Sequence, residues 1–412
     1  MILHRTTDIA ILGAGVIGLA IAERLLAEGR EVVLVDPGAP GMGASFGNAG
    51  TIADYAVMPV GSPEVLRRLP SLLFDRNSPL AIRAGALPAL LPWLARFARA
   101  SLPAATARGA RALAGLVSGA GPLWQQLVAR IGAEALLQDR GCLYLYDTPA
   151  AWRGAEAAMA QRRSLGVTVE LLSGAELAAI EPGLPAYHGA ALFPGAAFLT
   201  DPGAVMVGLA AHVARGADVL RARPVTVTRQ IDGVIVEGPG LRLHARRVII
   251  AAGAHSRGLA ASAGDRVPLD TERGYHAEWD MAAPRLQRPV CPLSRGAYLC
   301  PMAGRLRVAG TVELGGLTAP ASPHRIARLV AGARAVFPDL GEPDRTWMGL
   351  RPSLPDSLPV IGPSQRGAEV LHAYGHGHIG VTLAPVTAAI IADLVMGRAP
   401  GVDIAPFRPG RF

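Results

Sequence analysis

Residues 8–36 read DIAILGAGVIGLAIAERLLAEGREVVLVD. Asp8–Leu12 is a short apolar run. Val16–Ala27 is an apolar, alanine-rich helix stopped by Gly29, and Glu31–Val35 is a second strand ending at Asp36. The glycines between the first strand and the helix have separate tasks. Gly13 lets the chain turn sharply, Gly15 lets the backbone approach a pyrophosphate, and Gly18 lets the helix pack on the sheet. The helix start at Val16 and Ile17 offers unpaired N–H groups and a positive dipole end to phosphate. Asp36 falls where a carboxylate would accept hydrogen bonds from a ribose diol. Strand, glycines, helix, stop and acid in this order predict a dinucleotide-binding βαβ unit. The unit alone does not separate FAD from NAD.

Working outward, residues 41–55 form a glycine-rich, irregular loop that includes Ser45, Asn48, Ala49 and Gly50. Following the Asp36 strand, it should return across the cofactor, where small residues permit close approach to a flat ring. Arg247–Ala252 reads as a buried strand running into Ala252 and Gly253, again at the carboxyl end of a parallel sheet. Val370–Ala373 is another strand. Gly375-His376-Gly377-His378-Ile379-Gly380 then opens a last helix, with Pro385 near its start and Gly397 past its end. The dinucleotide unit is therefore completed by pieces from the middle and end of the chain. An NAD-dependent dehydrogenase more usually runs its strands together, so this interrupted assembly favours FAD.

Residues 63–135 read as helices broken by Pro70, Pro79, Pro88, Pro92 and Pro103. Leu90–Leu116 alternates apolar stretches with Arg96, Arg99, Arg108 and Arg111. A helical layer with arginines facing water is preferred here over a basic surface meeting a membrane. Further strands are expected at Gly141–Tyr146, Val167–Leu172, Leu192–Phe198, Ala217–Leu220, Val225–Thr228 and Val234–Glu237, and residues 266–315 are strand-rich. Helices are expected over Ala151–Gly166, from Pro202 behind an Asp201 cap, and over Pro323–Val336.

With 412 residues, two domains are the natural division. The chain has no lysine, so its 40 basic side chains are all arginine. No Schiff base to pyridoxal phosphate or substrate is possible, and no P-loop lysine. The net charge of +8 comes from scattered arginines, and aromatics are only 5%, so nucleic acid is not the expected partner. A basic surface would instead draw in a carboxylate-bearing substrate. Cys142, Cys291 and Cys300 are odd in number and form no CxxC pair. They predict reduced thiols in a cytoplasmic protein, with no metal site and no disulfide framework. The first strand begins almost at once after Met1, and no long uncharged apolar run appears, so neither a signal peptide nor a transmembrane helix is expected.

The sequence resembles the FAD-dependent D-amino-acid dehydrogenase family, within the wider D-amino-acid oxidase and glycine oxidase group, over nearly its whole length. The segments that carry the resemblance are GAGVIG at 13–18, SFGNAG at 45–50, AAGAHS at 251–256, RGYH at 273–276, GLRPSLPDSLPVIG at 349–362 and GHGHIGVTLAP at 375–385. It implies a chain of α/β plus α+β class. A Rossmann-like FAD-binding domain would be assembled from the discontinuous segments 1–57, 196–262 and 345–412, and a mixed-sheet substrate domain from 58–195 and 263–344.

The resemblance also implies roles. Gly13, Gly15 and Gly18 would hold the pyrophosphate of a non-covalent FAD, and Asp36, where the family more often has Glu, its ribose. Ser45, Asn48 and Ala49 would lie along the pyrophosphate and isoalloxazine, and Val225 would meet adenine through its backbone. Gly375–Gly380 would put N–H groups and a helix N-terminus at the flavin N1/O2 edge, where negative charge develops as hydride reaches N5. Arg351 matches the arginine that pairs with the substrate carboxylate, and Tyr275 a tyrosine that supports it. A planar guanidinium grips a carboxylate with two parallel bonds, which gives Arg351 a physical rationale; the rival reading is an arginine bridging a Pro-rich loop. Relatives acting on hydroxy-D-proline look similar around the GYH segment. That favours a cyclic imino acid, with His276 selecting substrate shape. Electrons would pass to a quinone or other carrier. The alternatives are an oxidase using oxygen and an FAD-binding subunit of a hetero-oligomeric dehydrogenase. Homo-oligomers and peripheral membrane contact stay open.

Overall fold

The computed structural model describes residues 3–67 and 80–412; of the expected proline breaks, Pro70 and Pro79 lie outside the described residues. Leu3–Leu12 pairs in parallel with Val32–Asp36 on one side and with Leu241–Ile250 on the other. Asp218–Arg221 extends the sheet beyond Val32–Asp36, and Gly367–Tyr374 joins the far end of Leu241–Ile250. The stretches Ile9–Leu12, Val32–Val35 and Val248–Ile250 are wholly apolar and buried because both faces of the sheet are covered there. Helices Val16–Ala27, Pro202–Val213 and Gly380–Val395 pack on one face. Helix Ser256–Ser262 packs on the other. The antiparallel hairpin of Thr226–Gln230 with Gly233–Gly238 extends the same sheet from the first half of Leu241–Ile250. The strands ending at Leu12, Asp36, Ile250 and Tyr374 bring the four glycine-bearing segments to one edge, the usual ligand side of such a sheet.

Gly13 is required there twice over. Its φ is +112°, and a Cβ at this position would lie 2.4 Å from the Ala251 carbonyl oxygen. A Cβ at Gly18 would lie 1.9 Å from the Gly13 carbonyl oxygen, so the helix rests directly on the turn.

The second sheet runs Arg345–Ser353, Asp270–Asp280, Arg305–Leu314, Ala297–Met302, Val290–Pro292, Cys142–Tyr146, Gly189–Phe193 and Glu170–Ser173. Side chains alternate across it. Along Asp270–Asp280, Tyr275, Ala277 and Trp279 face helix Pro323–Arg334, whereas Glu272, Gly274 and His276 are on the opposite face. The segment 345–353, which the sequence reading put with the cofactor domain, is an edge strand of this second sheet, paired along its whole length with Asp270–Asp280.

Three other expectations change. The strand expected over Leu192–Phe198 is two strands in different sheets, Gly189–Phe193 and Ala197–Leu199, because Pro194-Gly195 turns the chain. The helix over Ala151–Gly166 divides at Gly154 into Pro149–Arg153 and Ala155–Arg163. Pro92 does not break its helix but sits inside Leu87–Ala100, where the buried Leu90, Trp93 and Phe97 outweigh the lost hydrogen bond. In that layer Arg96, Arg99, Arg108 and Arg111 are exposed, and the apolar stripe faces the protein. Gly377–Val395 is long and apolar enough to cross a bilayer, yet 72% of its apolar window is buried in the protein. It packs against Val16–Ala27 and Ala120–Ile131.

Glu23, on the buried face of Val16–Ala27 and 2% exposed, receives two hydrogen bonds from Arg130 of Ala120–Ile131, the Nη2 bond at 3.0 Å. Arg130→Met should leave that carboxylate buried and unpaired, and lower the unfolding free energy by roughly 3 kcal/mol in denaturant titration. A change below about 0.5 kcal/mol would mean the pair behaves as a surface bridge.

Candidate active site

A cavity of about 1490 Å³ runs along the carboxyl edge of the parallel sheet and under the second sheet. Pockets for drug-sized ligands span roughly 300–1,000 Å³, so this one has room for a dinucleotide and a small substrate together. Asp36, Arg223 and Val225 line it. The Asp36 carboxylate accepts from the N–H of Ala14 (2.8 Å) and of Gly38 (2.7 Å), so it braces the glycine turn as well as facing the cavity. The Val225 N–H donates to the Glu237 carbonyl at 2.8 Å, which leaves its own carbonyl as the backbone group available to a ligand.

Gly15, the N-cap of the first helix, has no side-chain cap, and the first turn carries no acid. A Cβ added at Gly15 would meet no protein atom within 4 Å. Protein packing does not demand glycine there; a group lying against the backbone from the cavity does. Val16, Ile17, Ala252 and Gly253 line the same stretch. These residues fit a bound pyrophosphate.

The loop bearing Ser45, Asn48, Ala49 and Gly50 is held from both ends. Asn48 Oδ1 accepts from the Gly50 N–H at 2.8 Å, and the Asn48 carbonyl accepts from Arg307, whose Nε donates to Glu278 at 2.7 Å. His276 Nδ1 donates to the Gly47 carbonyl at 2.9 Å, and its ring stacks on Trp347 at 5.3 Å. Burial, and then the Arg307 charge, hold His276 well below the usual histidine range, so it stays neutral with its proton on Nδ1.

Gly377–Ile379 is a single turn leading into helix Gly380–Val395, again without a side-chain cap. His376 points inward, with Nε2 2.9 Å from Thr387 Oγ1, and burial lowers it to about 3. His378 lines the cavity and is exposed there; desolvation by the surrounding walls, and then the Arg351 charge, lower it to about 4.

Arg351 lies flat over Gly274: a Cβ there would come within 2.3 Å of the guanidinium carbon. Among the described residues the guanidinium makes one hydrogen bond, from Nη1 to the Thr311 carbonyl at 3.1 Å, which leaves donors for a ligand. Burial lowers its pKa, against the pull of neighbouring Glu272. Thr311 has φ +59°, a rare conformation for a β-branched residue, at a bulge between Arg305–Leu314 and Asp270–Asp280.

Tyr275 and His276 are not placed beside this guanidinium. The Tyr275 hydroxyl donates to Glu313 at 2.6 Å and accepts from the Ser322 N–H at 3.2 Å, on the helix side of the sheet. His276 is sealed behind Trp347 and Gly47 and is absent from the cavity wall. Tyr275 lines the cavity next to Gly274 but turns its hydroxyl away from it. Tyr55, Tyr144, Tyr298, Arg162 and Thr311 share the cavity with Arg351 as well. Sequence reasoning missed them as a group. The one available signal was strand alternation, which put Tyr144 on one face of Cys142–Tyr146.

Comparison with known proteins gives the family of the chain. The family profile described as DAO, FAD dependent oxidoreductase, matches residues 8–394. A protein of Bradyrhizobium diazoefficiens named D-amino-acid oxidase is 34% identical, with 98% of each chain covered. One of Ralstonia nicotianae named D-amino acid dehydrogenase 2 is 32% identical over 98% of this chain and 100% of its own. The crystal structure of glycine oxidase from Geobacillus kaustophilus superimposes with a TM-score of 0.78 at 26% identity, covering 99% of each chain.

Two outcomes are expected. Gly274→Ala should push the Arg351 guanidinium aside and raise KM roughly tenfold or more with the bound-cofactor spectrum unchanged, the equivalent of about 1.4 kcal/mol of lost carboxylate binding; an unchanged KM would mean the stacking is incidental. His276 and His376 resist protonation when folded, whereas free histidine titrates near 6.5. The unfolded chain then binds more protons, and stability should fall as pH drops from about 6.5 toward 4. Thermal midpoints across that window check this, and a flat profile would contradict it.

Proposed function

The chain belongs to the DAO family of FAD-dependent oxidoreductases, and from that premise we propose that it oxidises the Cα–N bond of a D-amino acid. The observation that carries this reading is the Arg351 guanidinium, with donors free, in the same cavity as the uncapped helix at Gly15 and the Gly377–Gly380 turn. The names of the two relatives above support it.

FAD, when bound, supplies the hydride acceptor. The chain does the rest. Arg351 holds the substrate carboxylate with paired bonds and so fixes which face of Cα meets the acceptor. Neutral His378 adds no further positive charge beside it at neutral pH. The first-turn N–H groups beyond Gly377 are pre-aligned for negative charge and need no reorganisation. The substrate loses a hydride from Cα and a proton from nitrogen. Water hydrolyses the resulting imino acid to a 2-oxo acid and ammonium.

The preference for a cyclic imino acid such as hydroxy-D-proline or D-proline comes from the resemblance around the GYH segment, with His276 selecting ring shape. Because that residue is withdrawn from the cavity, ring shape is left out of the proposal. No cysteine is among the described residues lining the cavity, which supports non-covalent attachment of FAD. Cys142, Cys291 and Cys300 are free and buried, in keeping with a reducing, cytoplasmic setting. Electrons are proposed to leave to a quinone or other carrier. Oxygen is the second reading, favoured by the name of the Bradyrhizobium relative.

Mixed anaerobically with D-amino acids, the yellow protein should bleach, and L-enantiomers should leave it coloured. Arg351→Met should lower kcat/KM by about a hundredfold or more while FAD stays bound. Bleaching by L-amino acids alone, or loss of FAD in parallel with loss of activity, would overturn the proposal.

A further inference from the structure

Arg162 also lines this cavity. Arg162 stands in the last turn of Ala155–Arg163, with its guanidinium carbon 5.7 Å from the centre of the Tyr144 ring. It has no carboxylate partner among the described residues. Its Nη1 reaches only the Ala158 carbonyl, at 3.5 Å, and its Nε is buried without a hydrogen-bond partner. Most other arginines pointing inward are paired: Arg273 with Glu313, Arg307 with Glu278 and Arg288 with Glu181.

Around Arg162 the wall is phenolic. The hydroxyls of Tyr55, Tyr298 and Tyr144 are linked end to end, each step 3.2 Å, and all three line the cavity. Tyr298 donates to Tyr144, so the Tyr144 proton ends the chain and is available to an acceptor, with the Arg162 guanidinium over the same ring. Burial pushes the Tyr144 hydroxyl up, so it remains a donor across the physiological range. A guanidinium with free donors beside a phenol proton forms a receptor for an oxyanion. An apolar substrate side chain packed against it would strip water from the charge and return nothing.

Resting on the D-amino-acid reading above, we propose that the preferred substrate carries a second acid group on its side chain. Arg351 takes the α-carboxylate, and Arg162 with Tyr144 takes the distal carboxylate. The scattered basic surface of this chain, net +8, favours the approach of such a net anion.

The test is anaerobic flavin reduction by D-glutamate, D-aspartate, D-alanine and D-proline, in the wild type and in Arg162→Gln and Arg162→Lys. In the wild type, kcat/KM for one of the acidic pair should exceed that for both neutral substrates by at least about tenfold. Arg162→Gln should reduce that ratio by at least about tenfold, mainly through KM, and Arg162→Lys should restore part of it. FAD absorbance and the thermal midpoint of each variant report whether the fold is intact. Neutral substrates preferred by the wild type would overturn the proposal and leave the D-amino-acid reading standing. So would equal losses on acidic and neutral substrates in a folded Arg162→Gln, which would mark Arg162 as a support for Tyr144. No reduction by any D-amino acid would remove the parent reading and this proposal with it.

Discussion

Two hydrogen bonds tie the parallel sheet to the second sheet at the wall of the large cavity. His276 and Arg307, both on the second sheet, donate to the Gly47 and Asn48 carbonyls of the loop that follows the Asp36 strand. Trp347 closes behind them, its ring so near Gly47 and Gly349 that a Cβ would come within 2.4 Å and 2.0 Å of it. A loop of small residues has little packing of its own to fix it. Donors on a rigid sheet supply that fixation, and the desolvated surroundings strengthen each bond. The pins also set where the sheet bearing Arg351 lies relative to the glycine cradle.

The substrate end stores conformational strain in the same place. Thr311 occupies the left-handed region at a cost of about 1–3 kcal/mol, sustained by the surrounding strands. The bulge aims the Thr311 carbonyl at Arg351 Nη1, and Gly274 provides the flat bed beneath the guanidinium. Without these two features an arginine in a mid-strand position would have many rotamers. With them, its planar face is oriented before any substrate arrives, which is the condition for tight and directional carboxylate binding.

The cofactor cradle was legible in the sequence because it is local. Gly13, Gly15, Gly18 and Asp36 lie within one βαβ unit, and each position is dictated by a turn, a helix start or a strand end. Arg351 is picked out by its motif, and it lines the cavity. The tyrosine wall was not: Tyr55, Tyr144 and Tyr298 come from separate segments and meet only when the second sheet forms. Tyr275 and His276 show the limit of periodicity. Alternation says that adjacent residues face opposite ways, but which of them faces the cavity depends on where helix Pro323–Arg334 packs. Tyr275 goes to that helix, and His276 goes to the loop rather than to the substrate. The misplaced strand at Leu192–Phe198 is different, since Pro194-Gly195 was a break signal within the run itself.

Docking of a carboxylate on Arg351, next to the flavin, carries everything proposed above. Titration of the oxidised protein with a simple, non-reducing carboxylate such as propionate, followed by flavin absorbance, tests it without turnover. A saturable spectral shift in the wild type that disappears in a flavin-replete Arg351→Ala variant is the result expected. An identical shift in both proteins, or none in either, would contradict the placement of substrate proposed here.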